Sequence, residues 1–388
     1  MKYWRGYLVA LIFGVCSFGL MDFAQTHWSL VDMIYPYMTR IVQDYLANWS
    51  LGVDFCLWQL ILIVLAVLAL ALVVMMILWK WNPIQLLGWF VAAASIVFFL
   101  NTVIWGLNNY SGPLAEDIRM EVTDYTVSEL KEAAEHYQAK ANGFALQVLR
   151  DSDGLPRIGD LNALSEQAGE GFRTQTYQEY NAVFSGCLLP VKELSWADQF
   201  SNRGLTGIHV GITGEAAVNP QTPAMAMPFV VSRLMAQRMC IAAGPDAAFA
   251  AYLTCDGNSD KTFQYSGAFM AYRYCLKALE GMDVASAQAA ARELTQQENA
   301  KLRADMEYFE ESFATGEDAV YLLTQENKSG NSTSSIVDLL VSWHIQTVVL
   351  PSQQEEVVLF DPMDETQVDL SGLPHYEEPT ENDEENAA

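Results

Sequence analysis

Phe55 to Trp79 reads FCLWQLILIVLAVLALALVVMMILW, 25 residues without a charge. Beyond the short turn Lys80-Trp-Asn-Pro83, Ile84 to Trp105 adds 22 more uncharged residues. A helix rises about 1.5 Å per residue and a bilayer's hydrocarbon core is about 30 Å thick, so each run can cross it. Only helices and closed barrels satisfy their backbone groups in lipid, and unbroken apolar runs of this length mean helices. Trp4, Trp58, Trp79, Trp81, Trp89 and Trp105 lie near the ends of the apolar stretches, as an interfacial belt does. A shorter apolar run, Tyr7 to Met21, follows the basic head Lys2/Arg5. The bulky segment Phe18-Gly-Leu-Met-Asp-Phe-Ala24 offers no small-x-small cleavage site, so this run reads as an uncleaved third anchor.

Basic residues set the expected orientation. Lys2 and Arg5 precede the first helix and Lys80 sits between the second and third, while the connecting segment 22–54 has one Arg and four Asp. Positive-inside placement puts the N-terminus and the Lys80 turn in the cytoplasm, and everything after Trp105 outside. The expected layout is a membrane domain over 1–105, with helices at about 7–21, 55–79 and 84–105 and an external loop over 22–54. An extracytoplasmic domain over 106–350 follows, then an acidic, disordered tail over 351–388.

Charge follows the same partition. The chain has 388 residues, 21 Lys+Arg against 47 Asp+Glu, and a formal net charge of −26, yet its mean hydropathy is slightly positive. Residues 1–105 sum to zero, 106–350 carry −14 and 351–388 carry −12. An acidic surface of this kind is unsuited to a phosphate backbone, so nucleic acid is excluded as a partner. The lipid bilayer is the partner that composition implies. With 18 Phe, 17 Tyr and 10 Trp the chain as a whole is not a disordered one. The tail is, by its 12 acidic residues and absence of basic ones, a solvated and self-repelling segment.

The external domain reads as mixed but mainly helical. Thr126-Val-Ser-Glu129 has the form of a capping box opening a helix to about Arg150. The Gly-punctuated, β-branched stretch Gly204 to Gly214 is strand-like. Phe229 to Cys240, Asp246 to Cys255 and Gly267 to Glu280 read as helices, followed by a charged helix from Val284 to Phe313. Cys187, Cys240, Cys255 and Cys275 fall where disulfides are allowed, and four cysteines permit three pairings or none. The five histidines are scattered singly, and neither HExxH nor CxxC occurs.

Six blocks resemble a family. They are Trp105-Gly-Leu-Asn-Asn-Tyr110 with Gly112-Pro-Leu114, Gly204-Leu-Thr-Gly-Ile208, Thr213-Gly-Glu-Ala-Ala-Val-Asn219, Pro228-Phe229, Tyr265-Ser-Gly267 and Ser334-Ser-Ile-Val-Asp-Leu-Leu340. The family is one of bacterial membrane proteins catalogued as a domain of unknown function, number 3810, with N-terminal membrane helices and an external zincin-like region. The resemblance implies a multi-pass α-helical anchor of three transmembrane helices joined to a mainly α, α+β zincin-like extracytoplasmic domain. It also implies the plasma membrane of a bacterium and, in intact relatives, zinc.

The family pattern carries HE-x-A-H on the helix after Pro-Phe, and an acidic residue on the next. Aligned without gaps, those positions fall here on Arg233, Leu234, Gln237 and Asp246. A guanidinium stays protonated and repels zinc, and leucine has no proton to exchange. The expected cofactor is therefore none and the expected catalytic set is none. Arg233 is expected to replace the lost dication by pairing with Asp246 or Glu215, and Arg238 adds a second cation. Glu215, His209 and Asn219 are the expected lining of a peptide-binding cleft, with Gly207 to Asn219 as the strand a peptide would join. The leading expectation is a non-catalytic binding or regulatory protein of the cell envelope, with a peptide or envelope protein as partner. The alternatives are a hydrolase using Glu215, His209 and Asp246, and a structural subunit of a membrane complex.

The orientation has a direct test. Alkaline phosphatase fused after Trp105 is expected to be active and a fusion in the Lys80 turn inactive; the reverse pattern would invert the topology.

Overall fold

Helix α1 (Arg5–Thr26) lies against α4 (Pro83–Ile104) because both present a stripe of small residues. Gly6, Ala10, Ser17 and Ala24 are buried on α1, and Gly88 and Ala92 on α4. The backbones touch at the glycines, where a Cβ on Gly6 would sit 2.4 Å from the Gly88 carbonyl carbon. Small interfaces of this kind let dispersion and packing hold helices together where lipid removes the hydrophobic drive. Gly6 meets Gly88 near the start of both helices, and further along Phe13 packs on Phe99 (5.3 Å) and Phe18 on Phe98 (5.9 Å), so the pair is parallel. Between them in sequence runs α3 (Leu57–Trp79), on which Gln59 is the buried residue. Lys80 adopts the left-handed region at the end of α3, and the Asn82 side chain caps α4 at Ile84 N (2.9 Å), with Pro83 in its first turn. Among the described residues three helices, α1, α3 and α4, are long and apolar enough to cross a membrane.

This computed structural model describes residues 4–175, 181–202, 204–312 and 334–351. The acidic tail beyond Pro351 lies outside them. The described residues up to Ile345 form one compact unit, separate from those that begin at Gln346.

Two corrections concern the first hundred residues. The first helix extends past 7–21 at both ends, since Arg5 and the polar Gln25-Thr26 are accepted at its termini. The segment 22–54 is no loop: Trp28–Ser50 is a second helix, α2, containing Pro36. Its mixed composition hides it from a search for apolar runs.

The remaining elements are mostly helical. They comprise α5 (Leu114–Asp117), α6 (Val127–Ala145), α7 (Leu161–Gln175), α8 (Asn181–Phe184), α9 (Ala197–Ser201), α10 (Met227–Arg238), α11 (Gly244–Asp256), α12 (Lys261–Gly281), α13 (Ala285–Gln297), α14 (Ala300–Ser312) and α15 (Ile336–His344). The capping box at α6 is present, with Thr126 and Glu129 bonding reciprocally. The expected helix 284–313 breaks at Glu298, which is extended, and Asn299 recaps the chain by accepting from Lys301 N and Leu302 N (both 2.9 Å). Helix α7 holds Gly169 and Gly171 in its interior, where glycine lowers helix propensity. Gly171 is there for space, since a Cβ would lie 2.3 Å from the Thr254 carbonyl oxygen on α11. One core joins α6, α10, α11, α12 and α15 through residues such as Tyr137, Phe249, Phe269 and Leu340, all fully buried.

A small sheet runs along this core in the order β1-β3-β2, where β1 is Lys192–Glu193, β2 Gly207–Val210 and β3 Glu215–Val218. β3 is central, parallel to β1 and antiparallel to β2, with His209 opposite Ala216 and Val210 opposite Glu215.

Where α6 meets α15, His136 and His344 lie 4.8 Å apart. Burial, then the neighbouring His344 and Lys140, hold His136 down to about 4, with Asp256 opposing. The unfolded chain takes up its proton near pH 6.5 and the folded one only near 4, so this stabilisation is complete above pH 6.5 and lost as the pH falls through that window. Thermal unfolding in detergent is expected to show a loss on the order of 1 kcal/mol from this site at pH 5. His136→Gln is expected to flatten the slope; an unchanged slope would place the acid sensitivity elsewhere.

Candidate functional site

The four positions expected from the resemblance, Arg233, Leu234, Gln237 and Asp246, lie on α10 and at the start of α11, and all but Gln237 are buried. Arg233 donates from Nη2 to Thr206 Oγ1 at 2.7 Å. Leu234 is fully buried, and its Cδ1 would be 2.7 Å from a Cβ placed on Gly207. Gln237 is half-buried. Asp246, in the first turn of α11, accepts from Leu114 N at 3.0 Å. Arg238 is fully buried and donates to the carbonyls of Leu189, Pro190 (3.2 Å) and Cys187 (3.4 Å). Burial pulls its guanidinium below the usual arginine range, against the pull of Cys187 and Asp44. These side chains act as fasteners between α10 and the strands and loops that flank it.

The cation on Glu215 is Lys192, at 2.8 Å, and both side chains are almost wholly buried. The same carboxylate accepts from Leu57 N (2.8 Å) and Trp58 N (2.9 Å), the first amides of α3. A carboxylate at a helix N-terminus meets both unsatisfied N–H groups and the positive end of the dipole. Lys192 completes the lock by donating to Ser50 O (2.7 Å) and Phe55 O (3.0 Å) in the α2–α3 connection.

His209 packs against Trp105 (5.2 Å) and its Nε2 meets Gln43 Oε1 of α2 at 3.2 Å. Burial, then the charge of Arg238, hold it down to about 3, so it stays neutral and is too weak a base for work near neutral pH. Asn219, with no exposed surface, ties down the preceding segment: it donates to Ser201 Oγ (2.8 Å) and Leu205 O (3.1 Å) and accepts from Gln221 N (3.0 Å). Glu215, His209 and Asp246 therefore bond to different partners: Lys192 and the first amides of α3, Gln43, and Leu114 N. All six cysteines are described and none is in a disulfide. Cys187, Cys240, Cys255 and Cys275 are buried thiols; Cys255 faces Ser232 Oγ at 3.6 Å, and burial pushes Cys240 up to about 12, away from nucleophile chemistry.

The structure instead brings together a polar cavity of about 60 Å³ where α2 meets the corner between α10 and α11. Asp32 and Arg40 from α2, Asn108, Asp117, Cys240 and Asp246 contribute to it. Asp32 accepts from Gly112 N at 2.7 Å, so Asp32 and Asp246 together hold the turn Ser111 to Leu114 by its amides. Arg40 Nε donates to Met239 O at 2.8 Å, a cation on the C-terminal end of α10. Cys240, next in the chain, sits in the left-handed region at φ 74. Burial, then Asp32, push the Asp117 carboxyl up to about 6, with Arg40 opposing. Sequence reasoning missed Asp32, Arg40 and Asp117. The spacing of Asp32, Pro36 and Arg40, each four apart, was the available signal for one helical face.

A family model described as a protein of unknown function, DUF3810, matches residues 31–341. The chain belongs to this family. The DUF3810 match takes in most of α2, the apolar helices α3 and α4, the sheet and the helices lining the cavity. No curated protein and no solved structure matches the chain. Among the described residues of this DUF3810 protein, no three His, Cys, Asp or Glu side chains are grouped so as to hold a metal ion.

The Lys192–Glu215 pair carries a measurable load. Glu215→Gln is expected to cost about 3 kcal/mol of stability in detergent, because it strands a buried ammonium. Adding Lys192→Met is expected to restore most of that loss, whereas additive losses would mean the two side chains act independently.

Proposed function

We propose that this DUF3810 protein is a membrane-anchored binding or regulatory protein of the bacterial cell envelope. Its helical domain resembles a zinc peptidase and has lost the means of catalysis. The reading places the N-terminus in the cytoplasm, α1, α3 and α4 across the plasma membrane, and the domain after Trp105 outside.

The observation that carries it is the state of α10. Where the related pattern has a ligand and a general base, this helix has Arg233 hydrogen-bonded to Thr206 and a Leu234 with no exposed surface. These donors do not fit zinc. A guanidinium brings a positive charge, Leu234 brings hydrocarbon, and Gln237 is a poor ligand. Asp246 alone has suitable chemistry, and its Oδ2 already accepts a backbone amide. An extended peptide is the ligand class the sheet favours. β3 is flanked on both sides, which leaves β1 and β2 as the edge strands, and of the two β2, residues Gly207–Val210, is the longer.

Metal analysis of the purified full-length protein, together with an assay against a peptide library, tests this. The expected result is substoichiometric zinc and no hydrolysis. Zinc at one per chain, or turnover abolished by Asp246→Asn, would overturn the reading.

A further inference from the structure

Helix α2 is amphipathic in the inverse sense. Its buried face carries Thr39, Gln43, Ala47 and Ser50, with Asp32 and Arg40 half-buried beside them. Its exposed face between 33 and 49 consists of Met33, Ile34, Tyr37, Met38, Ile41, Val42, Tyr45 and Trp49, broken by Asp44 and Asn48. Ile41 is 70% and Tyr45 75% exposed. A helix on a water-soluble surface turns its apolar stripe inward, and this one turns it out.

The polar face is fixed to the domain along its length. Arg40 bonds Met239 O (2.8 Å), Gln43 bonds Gly211 O (2.8 Å), and Lys192 bonds Ser50 O (2.7 Å). Leu46 and Ala47 press on Gly214, where an added Cβ would lie 2.8 Å from each. The direction of α2 follows from its start. Only His27 separates it from α1, and Tyr35 OH still reaches Val103 O (2.8 Å) and Thr102 O (3.2 Å) in the last turn of α4. A helix folding back beside α4 would by Tyr35 be about 10 Å down its length. α2 instead runs across the ends of the parallel pair α1 and α4 and on beneath the domain to the start of α3.

We infer that the outer face of α2 lies in the bilayer interface, so that the helix is a third layer between the domain and the lipid. Three observations commit it to this occupant. Its two ends continue into apolar helices long enough to span, α1 through His27 and α3 through residues 51–56. The face is built of long aliphatic side chains with Tyr37, Tyr45 and Trp49, the residues suited to the boundary between acyl chains and headgroups. It carries no basic residue, so the attraction is to the acyl boundary and not to anionic headgroups.

Spin-label depth measurements on the full chain in phosphatidylcholine nanodiscs test this. Labels go at Ile34, Ile41, Tyr45 and Trp49, each changed singly to Cys in a Cys16→Ser background, the other five cysteines being buried. Leu65→Cys on α3 and Leu149→Cys on the domain are the deep and aqueous references. The four α2 labels are expected to favour oxygen over a nickel chelate at one common shallow depth, within roughly 5–10 Å of the headgroup boundary. Nickel collisions as frequent as at Leu149 would overturn the inference. So would exclusion of both reagents, as at a protein contact, or a depth that steps by about 1.5 Å per residue, as in a spanning helix. A Leu65 label outside the bilayer would defeat the membrane anchor itself, and the α2 placement with it.

Discussion

The buried pair Lys192–Glu215 is where the membrane helices and the sheet become one body. Glu215 sits on β3, yet its oxygens accept the first amides of α3, and Lys192 on β1 holds the carbonyls of the α2–α3 connection. Two opposite charges with almost no exposure remain tolerable because each also satisfies backbone groups that a helix end leaves open. The direction in which α3 leaves the domain is thereby set by a side chain about 160 residues further along the chain.

A second constraint follows. With α3 held at Glu215 and α1 packed on α4 at Gly6 and Gly88, the 23 residues of α2 have to bridge the two attachments. They do so with their hydrogen-bonding groups facing the domain, and the α10–α11 corner rests on them through Arg40 and Asp246's hold on Leu114. The polar cavity is a product of this docking. Its walls come from α2, the turn after α4, α5 and the α10–α11 corner, and none of these alone encloses anything.

Much of the fold could be read locally. The spans over Phe55–Trp79 and Ile84–Trp105 were legible because crossing hydrocarbon demands an unbroken apolar run, and α6 because a capping box is a four-residue signal. α2 was not, since its two faces average to a mixed composition and only their directions distinguish it from a loop. The Gly-rich α7 was not, because Gly171 answers to the Thr254 carbonyl across an interface and not to helix propensity. Of the expected site residues, Asp246 lines the cavity, whereas Glu215, His209 and Asn219 are held in structural networks. Arg233 meets Thr206, and the cation on Glu215 is a lysine that alignment of motifs had no reason to single out.

By itself the sequence determined that this chain carries helices apolar and long enough to cross a membrane, is mostly helical and acidic beyond them, and lacks the HExxH set. Each of those statements depends on composition or on residues within one turn of each other, where local physics is sufficient. The tertiary structure decided which charges neutralise one another, which strands lie at the sheet's edges, where the polar cavity lies and which way α2 faces. Those depend on groups brought together from distant parts of the chain, such as Asp32 with Gly112 and Arg40 with Met239, whose energies exist only once the helices have packed.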